Sequence, residues 1–207
     1  MPNLKKIYFW RSKFDKIYSF VVDYLFGGDR IRQIAIKDLK LKEGDTVLDL
    51  ACGSGKNFKY IINKIGKKGK LIGIDDSKEM CNLAKKLTEK NRWENIELIQ
   101  KDASELNYIN TFDATICTFG LTVIPKWKKA LNNLIKATKK EGEICIVDEI
   151  YTKDYFGFFN WFVWIDSKLS GAQPKRKILQ EIKNKLKNIK VKKFLFGTIL
   201  IVVGNKK

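Results

Sequence analysis

The sequence predicts an α/β fold: a mostly parallel seven-stranded sheet with helices on both faces and an antiparallel hairpin at its C-terminal end. Three observations carry this. From residue 46 onward, short β-branched runs alternate with amphipathic stretches, the pattern of a parallel sheet wrapped by crossover helices. The last two strand-like runs are separated by Gly197 alone, too short a link for a parallel crossover. The 207 residues suffice for one sizeable core, and no low-complexity tract or linker divides them. A single domain over 1–207 is expected, with helices in 1–40 covering the functional site of a core spanning 41–207.

The elements follow in order. Apolar residues at helical spacing predict a helix over 12–26 and another over 29–39, separated by Gly27-Gly28, with Asp29 placed to cap the second. After the turn Lys42-Glu43-Gly44-Asp45 come a strand at 46–50, a helix at 57–65 and a strand at 70–75. A helix over 77–90 opens with Ser77 as N-cap and Glu79 or Met80 in its first turn. Strands follow at 96–101 and 112–119. The next helix, 125–140, starts with Pro125 at the favoured first position. A fifth strand covers 143–148, a helix about 175–186, and the hairpin strands 189–196 and 198–203.

Composition sets 41 Lys plus Arg against 23 Asp plus Glu, a net +18. Such a charge attracts polyanions, whether nucleic acid or the anionic face of a bilayer. The excess is nearly all lysine and spread along the chain, so it equally describes an ordinary solvated surface. Cys52, Cys81, Cys117 and Cys145 lie far apart without a C-x-x-C, and the chain has no histidine. No zinc site and no Ser-His or Cys-His nucleophile pair can be assembled, no metal is expected, and reduced thiols point to the cytoplasm. No apolar core with a cleavage site follows Met1. The aromatic run at 155–165, YFGFFNWFVWI, is too short to span a bilayer and reads equally as an interfacial or lid segment and as a core-packed helix or loop.

The stretch at 47–57, VLDLACGSGKN, breaks from strand into small residues at Ala51, Gly53, Ser54 and Gly55. Bare backbone there lets a ligand approach closely at the carboxyl edge of the sheet. About twenty residues beyond Gly55, at the end of the next strand, stands Asp75 in GIDDS, where an acidic group accepts the hydroxyls of a ribose. A dinucleotide site would continue as G-x-G-x-x-G and hold a pyrophosphate on the helix N-terminus. This chain has no third glycine and carries Asp49 before the loop, a carboxylate that repels a pyrophosphate and suits a cationic amino-acid moiety. S-adenosylmethionine is favoured over NAD.

VLDLACGSG, GIDDSKEM, QKDA at 100–103 and FDATICTFGL at 112–121 resemble the successive motifs of class I S-adenosylmethionine-dependent methyltransferases, over about residues 29–204. The resemblance implies a Rossmann-like core ending in that fold's antiparallel seventh strand, with S-adenosylmethionine as cofactor and S-adenosylhomocysteine as product. It implies that Asp49, Ala51, Gly53 and Gly55, with Asn57 following, surround the methionine part, and that Asp75 holds the ribose with Asp76 and Met80 beside the adenine. Asp102 would accept from the adenine amino group and Ala103 donate its backbone N–H, while Cys117, Thr118 and Phe119 close the floor near the sulfonium. Ala51 stands where the family more often has glycine.

Methyl transfer from a sulfonium is an in-line displacement, so the protein mainly holds the acceptor in line and excludes water. A dedicated base is unnecessary, and aromatic faces suit a cationic head group. Candidates for the acceptor pocket are Tyr18 and Tyr24 on the first helix, Phe119, Asp148 and Glu149 at strand ends, and Trp161 or Trp164; each also has an ordinary structural role open to it. Tyr24, Glu149 and Tyr18 are the catalytic candidates. The stretches DYLFGGDRIRQIAI, CTFGLTVIPKWKKAL and FLFGTILIVVG resemble bacterial phospholipid (phosphatidylethanolamine and betaine-lipid) N-methyltransferases, and the FGL segment is also similar to ubiquinone/menaquinone C-methyltransferases. The resemblance implies N-methylation of an amine-bearing lipid head group, with peripheral contact on the inner face of the cell membrane. The alternatives are a soluble small molecule or quinone precursor, and RNA, for which the net charge is the only support since CTFGL stands where an N-P-P-Y-type motif would.

Overall fold

The computed structural model describes residues 7, 9, 10, 13, 27–152 and 160–207, without the side chain of Phe162. The helix predicted over 12–26 lies outside the described residues except for Lys13. In chain order the elements are α1 (Gly28–Asp38), β1 (Thr46–Leu50), α2 (Phe58–Ile65), β2 (Lys70–Asp75), α3 (Lys78–Asn91), β3 (Ile96–Gln100), β4 (Phe112–Thr118), α4 (Trp127–Ala137), β5 (Thr138–Glu149), α5 (Asn160–Ser170), α6 (Ile178–Lys185), β6 (Leu186–Phe194) and β7 (Ile199–Lys206). A single 3-10 turn, Ala103–Glu105, follows β3.

The seven strands form one sheet in the order β3-β2-β1-β4-β5-β7-β6. All neighbours from β3 to β5 are parallel, and β7 is antiparallel to both β5 and β6. The Rossmann-like expectation and the antiparallel hairpin are both met. Strand order reverses between β1 and β4, and the carboxyl ends of β1 to β4 therefore open a crevice at that point.

The central strands are apolar on both faces because helices cover both. One face packs Ile31, Ala35 and Ile36 of α1 and Phe58, Ile61 and Ile65 of α2 against Val47, Leu71, Ile116 and Val147. The other packs Leu131 and Leu134 of α4 and Ile178 and Ile182 of α6 against Leu48, Leu50, Ile146 and Val202. Burial of each such Val, Leu, Ile or Phe side chain contributes about 1.5–3 kcal/mol.

Several local expectations are corrected. Asp29 does not cap α1: Gly27 occupies the N-cap at φ 66 without a side-chain bond. The glycine turns the chain into the helix, which leaves the Asp29 carboxylate to accept from Tyr60 Oη (2.5 Å) and Gln33 Nε2 (3.0 Å) and to meet Lys59 Nζ at 3.2 Å, tying α1 to α2. Pro125 lies ahead of α4, whose N-cap is Lys126, because residues 120–125 form a separate turn in which Val123 and Ile124 N–H both bond to Gly120 O. β5 begins five residues before the predicted 143, extended through an irregular stretch with Glu141 at φ 64. The hairpin link is residues 195–198 rather than Gly197 alone. Ser77 caps α3 as expected, accepting from Met80 N–H at 3.3 Å. The aromatic run resolves in its described part into α5, and no helix among the described residues is long and apolar enough to cross a membrane.

Candidate functional site

The crevice at the switch point is a cleft of about 330 Å³ whose walls come from the ends of four strands: Ala51 after β1, Ile74 and Asp75 on β2 with Asp76 to Glu79 beyond, Gln100 to Ala103 around the end of β3, and Val123 to Pro125 after β4. Its volume lies at the lower end of the range of small-molecule sites. Apolar surface from Ile74, Ala103, Val123, Ile124 and Pro125 faces acidic groups at Asp75, Asp76 and Asp102, a pairing that suits a flat heterocycle joined to a hydroxyl-rich sugar.

The loop after β1 is built by its backbone. Cys52 N–H continues the β1–β2 ladder to Ile74 O (3.0 Å), and Gly55 and Phe58 N–H then turn the chain into α2. Ala51, Gly53 and Gly55 have φ of 55, 56 and 84, left-handed values that glycine reaches without strain and Ala51 does not. The two glycines serve different ends. A Cβ on Gly53 would meet nothing within 4 Å, so open space lies against this backbone, whereas one on Gly55 would fall 2.7 Å from Phe58 Cε2. Gly53 leaves room for a ligand, and Gly55 for the packing of α2.

Asp75 clamps this loop. One carboxylate oxygen accepts Gly53 N–H at 2.9 Å and the other accepts Ser77 N–H at 2.9 Å. Asp75 also lines the cleft, so the carboxylate that orders the loop stands where a ligand's hydroxyls can reach it. Asp102 accepts Ser104 N–H at 2.7 Å, which fixes the 3-10 turn presenting Ala103. The far wall is equally fixed: buried Asp148 accepts Thr122 N–H (3.1 Å) and its hydroxyl, while Arg176 donates to the carbonyls of Leu121 and Ile124. Burial pushes the Asp148 carboxyl up to about 6 against these hydrogen bonds.

Beneath the loop lies a second polar layer. Asp49 is fully buried at the end of β1, and both its oxygens receive Asn57 Nδ2 at 3.0 and 3.1 Å. Asn57 also reaches Thr118 Oγ1 at 3.1 Å, and Arg32 of α1 donates to the same oxygen at 2.8 Å with its guanidinium 5.1 Å from the centre of the Phe119 ring. Burial pushes the Asp49 carboxyl up to about 7; the Asn57 hydrogen bond and the Arg32 charge pull it down, and the Asp75 charge adds to the rise. Asp49 therefore stands behind the loop, where its charge acts on the cleft without forming its wall.

Of the predicted site residues, Ala51, Asp75, Asp76, Asp102 and Ala103 line the cleft together, and Gly53 is bonded to one of them. Asp49, Asn57 and Thr118 form the buried layer, Cys117 and Met80 are buried in the core, and Phe119 lies under Arg32 at φ 56. Glu149 ends β5 opposite Ile199, on the same rim. Tyr18 and Tyr24 lie outside the described residues. The sequence reading missed Arg32 and the wall Val123 to Pro125. Arg32 had a legible signal: it sits on the apolar face of α1 with Ile31, Ala35 and Ile36, where only a paired cation is stable.

The donor set fits S-adenosylmethionine. Carboxylates at Asp75, Asp76 and Asp102 line the cleft beside apolar surface, a Cβ on Gly53 would meet nothing within 4 Å, and the Asp49 carboxyl lies buried beneath the loop.

Comparison with known proteins agrees. Residues 41–194 match the model of a methyltransferase domain family. The chain is 29% identical over 145 residues to a demethylmenaquinone methyltransferase of Oceanobacillus iheyensis, covering 67% of the chain but only 61% of that relative. A demethylmenaquinone methyltransferase of Bacillus mycoides is 26% identical over 198 residues, 84% of each protein. A crystal structure of a SAM-dependent methyltransferase from Aquifex aeolicus superposes with a TM-score of 0.62 at 21% identity, covering 85% of this chain and 89% of that one, a likeness of fold. With its strand order, its clamped glycine loop and the match over 41–194, the chain belongs to the methyltransferase domain family, of the class I, S-adenosylmethionine-dependent kind.

Proposed function

We propose that the protein transfers the methyl group of S-adenosylmethionine to a ring carbon of a reduced quinone precursor. The observation that carries methyl transfer is the Asp75 clamp, which orders the bare loop beside the cleft that Asp75 itself lines. When bound, S-adenosylmethionine supplies an electrophilic methyl on a sulfonium. Asp75 would hold the ribose, Asp76 and Asp102 the adenine end, and Asp49 would favour the cationic end through its buried charge.

The acceptor reading rests on the relatives, whose names describe demethylmenaquinone methyltransferases. They support the quinone-precursor alternative over the phospholipid head group. A hydroquinone ring is already electron-rich at carbon, so the chain need only position it and accept the protons released. Without histidine, carboxylate, tyrosine and water remain for that task. Glu149, half-buried on the rim, is the described candidate, and Tyr18 and Tyr24 are the candidates from the N-terminal segment.

Incubation with labelled S-adenosylmethionine and either a reduced demethylated naphthoquinone, phosphatidylethanolamine vesicles or RNA tests the reading. Label on the quinone ring carbon is expected. Label only on the lipid amine or on RNA would overturn it.

A further inference from the structure

One wall of the cleft, Val123 to Pro125, belongs to no helix or strand. It is part of the turn 120–125 between β4 and α4, where Val123 and Ile124 N–H both bond to Gly120 O, at 3.0 and 2.9 Å. A turn closed on itself in this way leaves its other carbonyls to donors from elsewhere. Three of them are met by one short segment beyond α5. Gln173 N–H donates to Thr122 O at 2.9 Å, and Arg176 Nη1 donates to Leu121 O and, at 2.7 Å, to Ile124 O.

That segment is itself braced. Gly171, at φ 78, returns its N–H to Ser167 O (3.0 Å), Ala172 N–H bonds to Ser170 Oγ (3.2 Å), and Arg176 N–H bonds to Gln173 O (3.1 Å). Burial holds the Arg176 guanidinium below its usual pKa, and the charge of buried Asp148, which accepts Thr122 N–H, opposes this. Ala103, on another wall of the cleft, is tied to α4, since its carbonyl receives Asn133 Nδ2 at 3.1 Å. The spacing between these two walls therefore depends on where the turn 120–125 stands, and Arg176 supplies two of the bonds that place it.

We propose that Arg176 is a positioning residue for the cofactor: by gripping the carbonyls of Leu121 and Ile124 it sets Val123 to Pro125 at the distance from Asp102 and Ala103 that a flat adenine ring requires. Arg176 is not among the cleft-lining residues, so it acts through the turn and not by touching the ligand. A wall held in its binding position before the ligand arrives spares the ligand the work of ordering it. If Arg176 only fastened the segment between α5 and α6 to the core, its loss would change stability and leave affinity alone. The proposal rests on the S-adenosylmethionine site and not on the identity of the methyl acceptor.

The test is calorimetry of the full chain with S-adenosylhomocysteine and with methylthioadenosine, which keeps the nucleoside and lacks the amino-acid end. Arg176→Met should weaken both ligands by the same factor, about tenfold, for the loss of two charge-assisted hydrogen bonds that order one wall. Binding stoichiometry counts the folded sites, so affinity is read apart from any loss of folded protein. Arg176→Lys keeps a cationic donor and should weaken both ligands less, about threefold, and it carries the test if the methionine variant does not fold. Thr138→Val deletes buried bonds to Thr115 and to Leu134 O at the opposite end of the sheet, and should lower the thermal midpoint while leaving both affinities unchanged. Wild-type affinity in the folded Arg176 variants, weakening confined to S-adenosylhomocysteine, or an equal loss in Thr138→Val would each overturn the proposal. Binding of neither ligand by the wild type would overturn the cofactor site itself, and the proposal with it.

Discussion

Replacing Asp49 with asparagine keeps the size of the buried side chain and removes its titration. In the wild type the carboxyl is fully buried beneath the glycine loop, and burial moves it from 3.8 up to about 7 despite the Asn57 hydrogen bonds and the Arg32 charge. The unfolded chain ionises Asp49 near 3.8, the native protein only near 7. Between these values the native state holds a proton that the unfolded state has lost, so wild-type stability falls as pH rises through this window and levels off above it. A shift of that size corresponds to about 4 kcal/mol in total. Asp148, moved by burial to about 6, acts with the same sign. Asp29 and Asp113, where the upward push of burial is outweighed by hydrogen bonds and lysine charge, lie below the usual range and act oppositely. All three are present in both proteins and cancel in the difference. Urea unfolding at several pH values should therefore show Asp49→Asn gaining about 4 kcal/mol relative to wild type between about pH 4 and pH 8. Stability curves that run parallel would refute the buried-acid account. A cationic ligand favours the ionised form, so binding of S-adenosylmethionine should release protons near neutral pH in the wild type and not in the variant.

Asp75→Ala removes the acceptor for Gly53 and Ser77 N–H together with the proposed ribose contact, and should weaken S-adenosylhomocysteine binding by at least about tenfold in calorimetry. Unchanged affinity would dissociate Asp75 from the cofactor. Arg32→Met deletes the bond to Thr118 and a counter-charge of Asp49, and should cost about 2–3 kcal/mol in urea unfolding while raising the Asp49 carboxyl further. Arg32→Lys should not restore stability, because an ammonium lacks the planar group lying over Phe119.

Much of the fold was legible because its signals are local. The run KLIGID has the β-branched, apolar character of a buried strand, and β2 spans Lys70–Asp75 as read; Ser77 caps α3 because its hydroxyl needs only Met80 N–H, three residues away. The errors fall where a distant group decides. Pro125 suits the first turn of a helix, but residues 120–125 instead form the turn that Arg176 binds from beyond α5. Residues 139–142, KKEG, carry turn chemistry, yet they form an irregular stretch inside β5 because Thr138 and Glu143 on either side both pair with β4.

The sequence by itself determined the alternation of elements, the antiparallel closing hairpin and the loop, strand and carboxylate of the cofactor cleft, since each depends on spacing within a few residues or on one βαβ unit. Only the tertiary structure decided that Arg32 and Thr118, 86 residues apart, meet Asn57 above a buried Asp49, that a side chain at Gly55 would strike Phe58, and that Leu195 and Phe196 are exposed. Those outcomes follow from which side chains the sheet order brings together at the switch point and along the rim, and periodicity carries no record of a neighbour on another strand.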